Sequence, residues 1–173
     1  MIIKTTSDVI KYLSIDKKDN LSTHEIYIWQ CNLFTFNDKE FLMFVNELTK
    51  AILVVNNVKR NTALSRMRGY FRRVWSVAIY GVETRLMNKY YRDLFKEFYA
   101  IETLNSSIQE YIEESIEYMK YILNDRIEMN DKDTEEYIMI EINQRLNDNI
   151  LQKDINRTYP CNVFKDELLK VYN

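Results

Sequence analysis

The sequence contains few of the residues from which most enzyme sites are built. Among its 173 residues are two glycines, one proline, one histidine and two cysteines. A phosphate-binding loop needs several closely spaced glycines, so the common nucleotide-binding folds are excluded. His24 has no evident Ser or Cys partner for a nucleophilic triad, and Cys31 and Cys161 lack metal-ligand spacing, which favours reduced thiols in the core. We therefore predict no catalytic residue, no metal site and no cofactor.

Long apolar runs are also missing. The longest nearly uncharged apolar stretch, Val74 to Val82, has less than half the length of a bilayer-spanning helix. The first residues run straight into polar positions and do not resemble a secretory signal. Hydrophobic residues make up 46% of the chain, which suffices for the core of one domain. The sequence predicts a single cytoplasmic domain over 1–173 without membrane contact, with a β-rich subregion at 1–58 and a helical subregion at 59–173.

The first 58 residues are typical of a small antiparallel sheet. Segments Ile26 to Phe36, Phe41 to Val45 and Ala51 to Val55 are rich in aromatic and β-branched residues, and polar turns separate them. The last two segments are apolar at consecutive positions, so both of their faces should be covered. Met1 to Lys4 is a candidate fourth strand, and a short helix is predicted from Ser7 to Leu13.

After Lys59, apolar residues recur every three or four positions, which is typical of helices. A first helix is predicted from Asn61 or Thr62 to Gly81, a second through Ile101, and a third, acidic one from about Ser106. A fourth helix could begin near 131–134, although residues 137–142 could equally form a strand. A terminal helix, 163–172, is expected after a break at Pro160. The predicted architecture is α+β, with a meander of three to four strands packed against a bundle of four to five helices.

Charge is divided unevenly along the chain. Residues 59–96 hold 10 Lys or Arg against 2 Asp or Glu, whereas residues 97–173 hold 8 against 17, within a net charge of −2. The candidate contacts to a protein partner or a nucleic acid are Arg66, Arg68, Arg72, Arg73, Arg85, Lys89, Arg92 and Lys96. The last four lie at spacings of four, three and four and so form a basic ridge on one helix face. The alternative is that the acidic third helix lies beside these helices and neutralises them in surface ion pairs.

Aromatic residues of the basic segment have two interpretations. Tyr70, Trp75, Tyr80, Tyr90 or Tyr91 could stack on the bases of a single strand. Their helical spacing favours positions in the core instead.

Two weaker candidate sites are built from polar residues. Gln30 and Asn32 are two positions apart and share one strand face, where they could form a small polar pocket. The carboxylate pairs Glu113 with Glu117 and Asp131 with Asp133 offer the oxygen ligands that Mg²⁺ prefers, although they lie in solvated acidic runs. A metal-dependent nuclease or hydrolase is therefore kept as the enzyme alternative.

One stretch resembles a known family. The run Trp29-Gln30-Cys31-Asn32-Leu33-Phe34-Thr35, followed by Val45-Asn46 and the Val-rich strand 52–55, resembles a family of small uncharacterised bacterial proteins, a domain of unknown function. Its members share a Trp-x-x-Asn-Leu-Phe-Thr strand, a strand ending in Val-Asn, a third strand and then helices. The resemblance covers residues 1–58 best, and Asn147 matches a late Asn. It implies a fold layout without an activity, and the family pattern has His where Gln30 stands, which weakens acid–base chemistry on this face.

These observations lead to three expectations for function. Abundant Asn, Ile, Lys and Tyr is what an AT-rich coding sequence produces, as in low-GC bacteria and their phages and plasmids. The leading hypothesis is a non-enzymatic interaction or inhibitor protein, from such a mobile element, that docks its basic helices on a nucleic-acid-handling partner. The alternatives are a direct DNA- or RNA-binding module and the metal-dependent enzyme. Formation of a homodimer is left open.

Overall fold

A computed structural model of the chain describes residues 1–19, 22–56, 63–75, 79, 81–128, 135–149 and 159–172. Within these residues, five strands form one mixed sheet in the order β4-β3-β2-β1-β5. The strands are β1 Ile2–Thr5, β2 Ile28–Phe36, β3 Lys39–Asn46, β4 Ile52–Asn56 and β5 Tyr99–Glu102.

The predicted meander forms the antiparallel part of this sheet. β2 pairs with β3, and β3 pairs with β4, over nearly their full lengths. Asn37 and Asp38 link β2 to β3 and both have positive φ, as tight two-residue hairpin turns require. β1 then adds to β2 in parallel and continues the sheet on the other side.

Six α-helices lie within the described residues, and the α+β class is confirmed. They are α1 Ser7–Leu13, α2 Ala63–Tyr70, α3 Thr84–Leu94, α4 Ser106–Glu128, α5 Glu135–Asn149 and α6 Pro160–Tyr172. α2 runs directly into a π-helical turn, Phe71–Trp75, and a short 3₁₀ turn, Glu25–Tyr27, precedes β2. The uncertain segment 137–142 is helical, because it lies within α5.

The helices cover both faces of the sheet. On the first face, Trp29, Cys31 and Phe44 share one core with Phe71 and with residues of α1, α3 and α6. On the second face, Met43, Val45, Ile52 and Val54 share another core with α4 and α5. The strands are apolar at consecutive positions because each face has its own helical layer, as their composition predicted.

Two boundaries differ from the sequence-based expectation. The second predicted helix does not continue to Ile101: it ends at Leu94, and Tyr99–Glu102 forms β5, parallel to β1. β5 therefore carries part of the predicted helical subregion into the sheet. Pro160 begins α6 instead of separating it from the preceding chain, since the first helical position needs no N–H donor. The expected helix starts at 61–62 and 131–134 lie outside the described residues.

Among the described residues, no helix is both long enough and apolar enough to cross a membrane. Both cysteines are free and buried, as predicted. Burial raises the pKa of the Cys31 thiol well above its usual range, and burial followed by a hydrogen bond to Asp148 raises the pKa of Cys161 to about 11. Both groups are therefore neutral thiols at neutral pH.

Candidate functional site

The strongest charged feature is a row of cations along α3 and the turn that follows it. The inner face of α3 is buried through residues 86, 87, 90, 91 and 94. Arg85, Lys89 and Arg92 lie on its outer face, and Lys96 lies in the turn just after its last residue, Leu94; these four cations are called the cationic ridge from here on. This division arises because helix positions four and three apart lie on one side.

The inner face of α3 holds the ridge in place through one buried polar node. The Trp29 indole N–H donates to the Tyr90 hydroxyl at 3.1 Å, and that hydroxyl donates to the Ile26 carbonyl at 3.1 Å. Tyr90 also contacts the Phe164 ring edge-on, with ring centroids 5.2 Å apart. α3 is thus fixed between β2 and α6, so the ridge has a defined orientation relative to the sheet.

The ridge makes few contacts with carboxylates. Arg92 lies 3.2 Å from its neighbour Asp93, while 73% of the Arg92 side chain remains exposed. The Lys89 ammonium approaches the Tyr172 carbonyl at 3.5 Å and lies over the Tyr172 ring. Arg85 and Lys96 are exposed and take part in no ion pair within the part of the chain described by the structure.

The remaining predicted contacts lie on α2 and its π-helical turn. Arg68, Arg72 and Arg73 are exposed there. The Arg68 guanidinium lies 5.5 Å from the centre of the Phe95 ring, which places it beside the carboxyl-terminal end of α3. Arg66 belongs to α2, but its side chain lies outside the described residues.

The acidic third helix does not lie beside these basic helices. α4 packs on the second face of the sheet through Ile108, Ile112 and Met119, whereas α3 packs on the first. Two of its carboxylates have local partners and none of these is a ridge cation: Gln109 donates to Glu113 at 3.0 Å and Lys120 pairs with Glu117 at 2.7 Å. The expected neutralisation of α3 by α4 is wrong, because the sheet separates the two helices.

The aromatic residues of the basic segment occupy the core, as their spacing favoured. Trp75, Tyr90 and Tyr91 are buried. The Tyr70 ring is partly buried, and its hydroxyl donates to the side chain of Asn56. These four rings are not available for stacking on bases, and Tyr80 lies outside the described residues.

Gln30 and Asn32 do share one strand face, where both contact the first turns of α4. The Gln30 side-chain N–H donates to the side-chain oxygen Oε1 of Gln109 at 3.2 Å, and the Asn32 side-chain N–H donates to the same oxygen at 3.0 Å. The Gln30 oxygen accepts from the backbone N–H of Asn105 at 2.8 Å. The structure thus fills the expected pocket with Gln109 and uses it to seat the amino-terminal end of α4 on the sheet.

This network predicts a graded response to substitution of Gln30, which is fully buried. Leucine leaves the Asn105 N–H without its acceptor, so we expect Gln30→Leu to lower the free energy of unfolding by about 1–3 kcal/mol. Histidine keeps one nitrogen as acceptor and one as donor, so Gln30→His should lower the free energy of unfolding by less than Gln30→Leu does. Urea denaturation of the two variants and the parent measures their free energies of unfolding. A leucine variant as stable as the parent would contradict the role assigned to Gln30.

A cleft of about 240 Å³ lies beside the Lys96 end of the ridge and is lined in part by Tyr27, Asp93 and Glu97. The Tyr172 hydroxyl meets that of Tyr27 and lies 3.1 Å from Asp93. Burial is the main cause that raises the pKa of both phenols, so neither loses its proton near neutral pH. Tyr27 and Tyr172 therefore act beside this cleft as neutral hydrogen-bonding groups.

The metal alternative gains no geometric support. Among the described residues, no group of three or more His, Cys, Asp or Glu could hold a metal ion. Asp131 and Asp133 lie outside them. His24 has a local role, because its Nδ1 accepts from the backbone N–H of Ile26 at 3.3 Å.

Sequence reasoning overlooked Asn143 and gave no role to Asn147, and these two polar residues hold α5 to the sheet. The Asn143 side chain bonds both the N–H and the C=O of Val54, at 2.7 and 3.1 Å. The Asn147 side chain does the same with Ile52, at 2.9 and 2.8 Å. Two asparagines four apart, each next to a buried apolar residue, are the signal that could have revealed them.

The described geometry defines an α+β domain in which one mixed sheet carries a helical layer on each face, with a cationic ridge on one outer surface. A domain of unknown function, DUF6933, matches residues 2–163. The chain belongs to this family, in agreement with the resemblance of its strands. No curated protein matches the chain.

Proposed function

We propose that this chain is a non-enzymatic binding protein that docks its cationic ridge on an acidic surface of a protein that handles nucleic acid. The observation that carries the proposal is the exposure of Arg85 and Arg92 on one face of α3, and of Lys96 in the turn after it, away from the acidic helix α4. Cations that the chain leaves exposed and aligned are suited to a ligand with complementary negative charge.

An acidic protein surface fits the ridge better than a nucleic acid does. The helical part of the ridge, from Arg85 to Arg92, spans about 10 Å of helix axis, which is short for a groove that tracks a nucleic-acid backbone. Asp93 interrupts the ridge, the neighbouring aromatic residues are buried, and the chain as a whole has a net charge of −2. The buried aromatic residues remove base stacking, which a single-stranded nucleic acid would use and a protein surface would not.

The proposal extends to biological context. Docking on such a partner would inhibit it by covering its acidic surface, and the composition typical of AT-rich genomes supports a phage or plasmid as the source. A cytoplasmic location follows from the expected partner.

Charge reversal of the ridge tests the proposal. A variant with R85E, K89E, R92E and K96E is compared with the parent in affinity capture from nuclease-treated extract of the source organism, and the captured protein is then purified. We expect its affinity to fall at least tenfold with the variant, because attraction becomes repulsion. The matched control carries E110K, E114K and E117K on α4 and should retain the affinity.

Two further measurements separate the alternatives. Titration of labelled duplex and single strands at two salt concentrations reveals direct binding, which would weaken steeply as salt rises. Incubation of labelled nucleic acid with Mg²⁺ or Mn²⁺ reveals a nuclease. A partner bound equally by the parent and the reversed variant would overturn docking through the ridge.

A further inference from the structure

Two helical surfaces of opposite charge face away from each other across the sheet. α3 turns its buried residues toward the first face and its cations outward. α4 turns Ile108, Ile112 and Met119 toward the second face and its glutamates outward. Since the sheet lies between the two helices, the surfaces cannot meet within one molecule.

The exposed face of α4 repeats the spacing of the ridge. Glu110, Glu114, Glu117 and Tyr121, called the acidic stripe from here on, lie four, three and four residues apart, as do Arg85, Lys89, Arg92 and Lys96. Between the two helices themselves, the match covers Arg85, Lys89 and Arg92 against Glu110, Glu114 and Glu117, because Lys96 lies in the turn after α3. At the last position, the Tyr121 side chain is 67% exposed and offers a ring face to a cation.

The carboxylates of the stripe remain accessible. Lys120 contacts Glu117, yet 72% of the Glu117 side chain is exposed to solvent. Glu110 and Glu114 are exposed as well. The stripe therefore presents negative charge to an incoming molecule in the same way that the ridge presents positive charge.

We propose that this chain associates with itself head to tail, with the cationic ridge of one copy seated on the acidic stripe of the next. The occupant is a second copy because this chain itself carries the complementary charge pattern at matching intervals. The contact joins two different surfaces on opposite sides of the molecule, so it is heterologous and extends into short chains instead of closing as a symmetric pair.

This inference uses the exposure of the ridge and does not rest on the proposed function. The two are linked by competition, because a partner bound to the ridge ends a growing chain of copies. Exposed ion pairs are weak individually and are screened by salt. We therefore expect self-association only at high protein concentration and low ionic strength.

Analytical ultracentrifugation tests the inference on the full chain. At about 20 mM salt we expect the average mass to rise with concentration from 21.0 kDa past twice that value, and at about 500 mM salt to stay at the monomer. A mass that stops at twice the monomer would overturn the head-to-tail arrangement. A monomer at every concentration in low salt would overturn self-association and would leave partner capture through the ridge unaffected.

Charge-reversed variants then identify the surfaces. The ridge variant (R85E, K89E, R92E, K96E) and the stripe variant (E110K, E114K, E117K) should each be monomeric alone and should associate when mixed, since each then meets its complement. A chain carrying both sets should associate again by itself. Association that survives either set alone would overturn the assignment. Circular dichroism checks that each variant is folded. Any variant that fails to fold is replaced by one with Gln at the same positions, for which we expect a partial loss of self-association.

Discussion

Replacing Asn143 with leucine is expected to lower the free energy of unfolding by about 2–4 kcal/mol, and Asn147→Leu by a similar amount. β4 is an edge strand, and α5 covers this edge. Each amide pairs with both backbone groups of one β4 residue, Val54 or Ile52. Leucine leaves that N–H and C=O buried without partners. Urea denaturation followed by far-UV circular dichroism measures the loss.

The geometry explains why two asparagines can serve one strand. Four residues of helix advance by about 6 Å, and two residues of strand advance by about 6.6 Å, so both amides reach their targets at once. Asn147→Asp is nearly the same size and keeps an acceptor for the Ile52 N–H, but it sets a carboxylate oxygen against the Ile52 carbonyl. We expect it to destabilise the chain at least as much as leucine does.

Asn124 provides the matched control, because it is an exposed asparagine on α4. Asn124→Leu should change stability by no more than about 0.5 kcal/mol. If Asn143→Leu and Asn124→Leu have the same effect, the amides do not hold α5 to the sheet edge.

Replacing Phe71 with alanine is expected to cost about 3–5 kcal/mol, because it removes the centre of the aromatic core on the first face. The Phe71 ring meets those of Trp29, Phe44, Trp75 and Phe95, with centroids 5.2, 6.2, 5.5 and 5.5 Å away. The cavity left by alanine touches β2, β3 and the end of α3 together. Thermal and urea unfolding, with tryptophan fluorescence as a probe of Trp29 and Trp75, measure the change.

Two comparison variants distinguish the loss of tight packing around Phe71 from a general loss of apolar surface. Phe71→Leu keeps most of the side-chain volume, so its loss of unfolding free energy should be less than half that of Phe71→Ala. Tyr121→Ala removes an aromatic side chain that is 67% exposed and should be close to neutral. Equal losses for Phe71→Ala and Tyr121→Ala would show that the aromatic core is not what holds the first face together.

The proposed binding surface depends on this core. Phe95 follows α3 directly, and its ring contacts both the Phe71 ring and the Arg68 guanidinium. Tyr90 ties the same helix to Trp29. The ridge is therefore presented by a helix with strong anchors, which limits the side-chain and backbone ordering that binding must supply.

Local pattern was sufficient for most elements. The meander strands were predicted from runs of aromatic and β-branched residues between polar turns, and α1 from its capping residues. The acidic helix α4 was predicted from apolar residues three and four apart, a period that reflects which neighbours in sequence share a buried face. The same reasoning failed at Tyr99–Glu102. Phe98 and Ile101 continue the helical interval, but the chain pairs with β1 there, and parallel pairing depends on a strand nearly one hundred residues earlier.

The sequence by itself determined which residues are buried in most helices and strands, the α+β class, and the four-three-four interval of the cations. Only the tertiary structure decided that β5 joins the sheet, that asparagines seal its β4 edge, and that α3 and α4 lie on opposite faces. The physical reason is that an apolar strand accepts a helix on either face equally well. The side-chain pattern therefore predicts that a helix packs against the sheet, but not on which face. The long-range connections of the chain select that face, and this choice places the two charged surfaces on opposite sides of the sheet.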